Sequence, residues 1–71
     1  MKIYIEAFEI TEEGEPDFIR IDVTDLSDKE KKDILNGIRE YFADKKYILQ
    51  VHYCKHDEGK PCEIRTIEVR E

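Results

Sequence analysis

Cysteine, proline and glycine are all scarce in this chain, with two, two and three residues among 71. Each shortage excludes something. Gly14, Gly37 and Gly59 lie far apart, so no glycine-rich loop is present to cradle a phosphate. With so few of these residues and no repeats, there is no low-complexity tract or linker. Two cysteines, Cys54 and Cys62, cannot build the multi-bridge scaffold of small secreted domains. No stretch approaches the roughly 20 apolar residues of a membrane span, and the strand pattern starts at once with no leader-like segment before it. The expectation is a cytoplasmic protein with no membrane anchor and with reduced thiols. Positive charge is also short, with 12 Lys+Arg against 18 Asp+Glu and a net charge of −6. Such a surface repels phosphate backbones, which disfavours nucleic acid as a partner.

At this length residues 1–71 form one domain with a thin core. A chain this short buries only about 60% of the surface its unfolded form exposes. A second copy, a metal or a covalent link would each help it.

What is present is alternation. Residues 2–10 place Ile3, Ile5 and Ala7 on one side and Tyr4, Glu6 and Phe8 on the other, the period-two signature of a strand. Residues 18–23 repeat it. The intervening Thr11–Asp17 segment, with Gly14 and Pro16, reads as a hairpin loop. Setting Ile10 opposite Phe18 puts Ala7 across from Ile21 and Ile5 across from Val23, so the aliphatic sides coincide.

Ser27 followed by Glu30 is a capping box, in which each side chain satisfies a free backbone donor at a helix start. Ile34, Leu35, Ile38, Tyr41 and Phe42 then form one apolar stripe at helical spacing. Residues 47–56 and 62–70 alternate again around Asp57-Glu58-Gly59, which suits a tight turn ending in left-handed glycine. This turn sets Cys54 opposite Cys62, Val51 opposite Arg65, Leu49 opposite Ile67 and Tyr47 opposite Val69.

The predicted fold is therefore α+β, strand–strand–helix–strand–strand, with a four-stranded, mainly antiparallel sheet made from two hairpins and one helix packed on one face. The helix-covered face is expected to carry Ile3, Ile5, Ala7, Ile19, Ile21, Val23, Leu49, Val51, Ile67 and Val69. The opposite face is expected to carry Tyr4, Phe8, Ile10, Phe18, Ile48 and Ile64, and also a cluster of His52, Cys54, His56 and Cys62. Glu6 and Glu63 read as solvated surface.

Two features of that second face suggest function. One helix covers one side only, so its aromatic and aliphatic residues invite a partner, either a second copy of the chain or another protein. This reading makes the protein an interaction module, homodimeric through the helix-free face. The alternative is a metal-binding or thiol-based protein, because histidine nitrogen and cysteine sulfur are zinc ligands and residues two apart on a strand share a face. Extended geometry places His52 and His56 about 13 Å apart, so three of the four side chains are expected to converge rather than all four. The same pair also reads as a cross-strand Cys54–Cys62 disulfide, or simply as two thiols beside two histidines on an ordinary sheet surface. A small hydrolase or nuclease using a Cys–His pair ranks third, since no oxyanion loop or evident concavity accompanies it. This weighs against an enzyme.

Overall fold

Alternation of apolar and polar residues produces four strands because each strand must bury one side and solvate the other. In a computed structural model covering Met1–Glu71, these are β1 (Lys2–Glu9), β2 (Phe18–Asp22), β3 (Tyr47–Cys54) and β4 (Glu63–Arg70), with helix α1 (Asp28–Tyr41) between β2 and β3. All neighbouring strands run antiparallel in the order β2-β1-β3-β4, so the sheet is open, with β1 and β3 inside and β2 and β4 at its edges. The expected ββαββ α+β fold is the one that forms. No helix is long and apolar enough to cross a membrane.

Helix α1 begins where the capping box places it. Ser27 accepts from the Glu30 backbone N–H at 3.2 Å, and the Glu30 carboxylate accepts from the Ser27 N–H at 3.1 Å. Its inner stripe delivers Ile38 and Phe42 onto Ile5, Ala7, Val23, Tyr47 and Leu49, and Ile3, Ile19, Ile21, Leu26, Ile34 and Leu35 pack around them. Tyr41 lies outside this core, half-exposed, and donates its hydroxyl to Asp17 Oδ2 at 3.2 Å.

Two registers differ from the sequence expectation. Phe8, not Ile10, faces Phe18, which sets Ala7 against Ile19 and Ile5 against Ile21. The hairpin closes earlier because the Glu9 N–H donates to the Asp17 carbonyl, while the Ile10 N–H turns to Lys46 on the other flank. A slip of two residues preserves side-chain direction, so the aliphatic sides still coincide.

The second difference moves side chains between faces. The β3–β4 register holds as expected from Tyr53–Glu63 through Gln50–Thr66 and then shifts, so that Leu49 faces Glu68, Ile48 faces Val69 and Tyr47 faces Arg70. Ile67 is the extra residue of this bulge. Beyond it, the parity of β4 reverses. Glu68 turns to the helix side, where its Oε1 accepts from the buried Tyr47 hydroxyl at 2.8 Å and from Arg39 Nε at 3.2 Å. A buried phenol needs such an acceptor. Ile67 and Val69 consequently lie outside the core, both exposed.

Candidate functional site: the helix-free face and the hairpin tip

The four chemically suggestive residues gather at one end of the helix-free face. His52 and Cys54 share that face of β3, two residues apart, and the β3–β4 register carried on past Tyr53–Glu63 brings Cys62 alongside Cys54. A ring nitrogen of His52 and the two sulfurs all lie within 4.8 Å of one another. Both thiols are free and half-buried.

His56 does not continue the strand as the alternation suggested. β3 ends at Cys54, Lys55 adopts φ −113° and ψ 19°, and His56–Glu58 form a single 3₁₀ turn that ends at Gly59 with φ +70°. The turn folds the imidazole back over the hairpin. His56 Nδ1 comes to 3.4 Å from Cys54 Sγ, and Nε2 to 3.4 Å from Cys62 Sγ. The chain stops being extended at Lys55, and this brings His56 to the sulfurs instead of carrying it further along the strand. His52, Cys54 and Cys62 thus converge as the expected set of three, and His56, the exposed member, touches both sulfurs from the turn.

The centre of the same face holds Glu6, which reads as solvated surface in the sequence and is buried in the sheet. Glu6 is 3% exposed although no helix lies above it. Its cross-strand neighbours are Arg20 on β2 and Gln50 on β3, and His52 sits diagonally from it, opposite Tyr4. Oε2 accepts from Arg20 Nε at 2.7 Å and lies 3.1 Å from His52 Nδ1, while Oε1 accepts from Gln50 Nε2 at 2.8 Å. Burial pushes the Glu6 carboxyl up, but the hydrogen bonds from Gln50, His52 and Arg20 outweigh it and hold the group below the usual glutamate range. The Arg20 guanidinium carbon is 5.2 Å from the Tyr4 ring centre and 5.7 Å from that of Phe18, so the aromatic residues frame the ion pair. No local pattern marks Glu6 as buried; pairing with both neighbours from the two flanking strands is a property of the assembled sheet.

One nitrogen in this network stands alone. His52 is 16% exposed, and its Nε2 is buried without a hydrogen-bond partner.

The expected interaction face is arranged around this polar centre. Tyr4, Phe8, Phe18, Ile48 and Ile64 share the Glu6 side by register, Ile10 follows the end of β1 at the margin, and the bulge adds Val69. Phe18, Ile64 and Val69 are 56%, 52% and 51% exposed. The face is thus an apolar rim about a buried carboxylate. Comparison with protein families, with curated proteins and with solved structures finds no match for this chain.

Proposed function

We propose that the protein binds a single zinc ion at the tip of its second hairpin, through His52, Cys54 and Cys62 with His56 completing the set. The observation that carries this reading is the convergence of ligand atoms: three within 4.8 Å of one another, and the His56 ring 3.4 Å from each sulfur. Zinc bonds of about 2.0–2.3 Å in tetrahedral geometry place ligand atoms about 3.3–3.8 Å apart, a small closure for His52, Cys54 and Cys62, while the His56 ring, already against both sulfurs, has to turn one nitrogen inward. Two thiolates and two imidazoles are a donor set that suits Zn²⁺.

The ion's role in this reading is structural. Only eight residues of the chain are buried, and the hairpin tip has no helix above it. A metal joining β3, the 3₁₀ turn and the start of β4 supplies the clasp that a small core lacks. Protein purified without a histidine tag is expected to carry near-stoichiometric zinc by elemental analysis, with reduced thiols, and to lose melting temperature on chelation. Less than about a tenth of an equivalent of any transition metal, with a melting temperature unmoved by chelator or added zinc, would overturn the reading.

A second reading, self-association through the helix-free face, is supported by the half-exposed rim of Phe18, Ile64 and Val69. It expects a dimer in sedimentation that Phe18→Glu converts to a soluble monomer. A wild-type monomer throughout the micromolar range counts against it.

A further inference from the structure

We infer that Glu6 is a positioning residue for the hairpin-tip metal: by holding His52 through Nδ1, it makes Nε2 the nitrogen that ligates the ion. The inference rests on the zinc reading above and deepens it.

The tautomer follows from what each partner can do. An ionised carboxylate only accepts hydrogen bonds, while a guanidinium and an amide nitrogen only donate. With Arg20 Nε at 2.7 Å and Gln50 Nε2 at 2.8 Å already donating to Glu6, His52 Nδ1 at 3.1 Å must donate as well, because a lone pair there would face the carboxylate's own. A proton therefore sits on Nδ1, and a neutral ring held this way carries its lone pair on Nε2, the form that ligates a metal.

The orphan atom points the same way. His52 Nε2 is buried and has no partner, although buried polar atoms in folded proteins are nearly always satisfied. Glu6 approaches His52 from the Gln50 side, whereas Cys54 lies beyond His52 in the other direction along β3. Nδ1 is committed to the carboxylate. Nε2 is the nitrogen left for the two sulfurs' ion. A carboxylate that accepts the far N–H of a ligating histidine fixes ring orientation and raises ligand basicity, and its loss weakens metal binding about 10–100-fold.

The test compares wild type, Glu6→Gln and Ser27→Ala, measuring zinc affinity by competition with a chromophoric chelator and His52 ring ¹⁵N–¹H correlations by NMR. The expected results are an Nδ1–H tautomer in metal-free wild type, ligation through Nε2 in the zinc form, and affinity weakened about 10–100-fold in Glu6→Gln. Ser27→Ala, which weakens the helix cap but leaves Nδ1 held, should stay within about threefold of wild type, separating positioning from general loss of stability. Wild type that binds zinc while His52 ligates through Nδ1, or Glu6→Gln that binds as tightly as wild type, overturns the role of Glu6 and leaves the zinc reading intact. Wild type that takes up no zinc overturns both. Should Glu6→Gln fail to fold, the wild-type tautomer and ligating nitrogen decide the question alone.

Discussion

The two faces of this sheet are built from the same strands and bury opposite kinds of residue. On the helix side, Ile5, Ala7, Val23, Tyr47 and Leu49 meet Ile38 and Phe42, all removed from water. On the other side the one residue buried to that degree is a carboxylate, Glu6, covered by hydrogen-bonding neighbours rather than by another layer. The contrast teaches that a helix-free face need not be bare. Hydrophobic burial needs a second layer, since the apolar area must be taken from water by something. A hydrogen-bonded charge can be enclosed within one layer by its cross-strand partners, provided every lone pair facing inward is used.

Substituting the same residue type on each face should separate the two most strongly. Phe42, fully buried, is expected to cost about 3–5 kcal/mol when changed to alanine, comparable to all the stability a core this small supplies, so Phe42→Ala should be largely unfolded in chemical denaturation. Phe18→Ala on the helix-free face should cost within about 1 kcal/mol. Similar losses for the two would erase the comparison.

Glu6→Leu probes the free face directly. If burial there depended on apolar character, leucine would be neutral or better. The hydrogen-bond network instead predicts a loss of about 1–3 kcal/mol, because the Gln50 and His52 donors are left unpaired while half-exposed Arg20 rehydrates. Urea unfolding of the metal-free protein measures it.

Ser27→Ala sharpens the other face by weakening the helix that covers it. Losing the side-chain acceptor of the capping box should cost about 1 kcal/mol by the same measurement, with little change at the hairpin tip in NMR spectra.

The smallest effect is expected from acid, acting at the rims where the faces meet. The Tyr47 hydroxyl and then Arg39 hold Glu68 below the usual glutamate range, and Lys45 and then Tyr41 hold Asp17 below the aspartate range. A carboxyl whose folded pKa is depressed contributes stability above its unfolded value, and that contribution is lost as pH falls through the folded value. The melting temperature of the metal-free protein should therefore begin to drop below about pH 4.5 and continue down as these groups protonate. A rise over that range would contradict the direction.

Particular residues show how much of this was legible beforehand. Ser27 and Glu30 announced the helix start, and the alternation of Ile3, Ile5 and Ala7 against Tyr4, Glu6 and Phe8 announced which side of β1 faces inward. Both signals are local. Cys54 beside Cys62 followed from a turn whose glycine occupies the left-handed region, as the tripeptide suggested. By contrast, nothing in Thr66-Ile67-Glu68 signals a bulge. That irregularity serves a distant need, an acceptor for the Tyr47 hydroxyl and a partner for Arg39, and it exchanges Val69 for Glu68 on the helix side. His56 likewise read as strand until a 3₁₀ turn took it out of line.

By itself, the sequence determined the elements, their order and the inward side of each strand up to the bulge, because periodicity and caps are set by residues within a few positions of one another. Tertiary structure alone decided that a glutamate on the solvent-facing side of β1 is buried and which nitrogen of His52 is held by it. Both depend on β2 and β3 flanking β1 at once, and strand neighbours brought together from across the chain leave no period in the sequence to read.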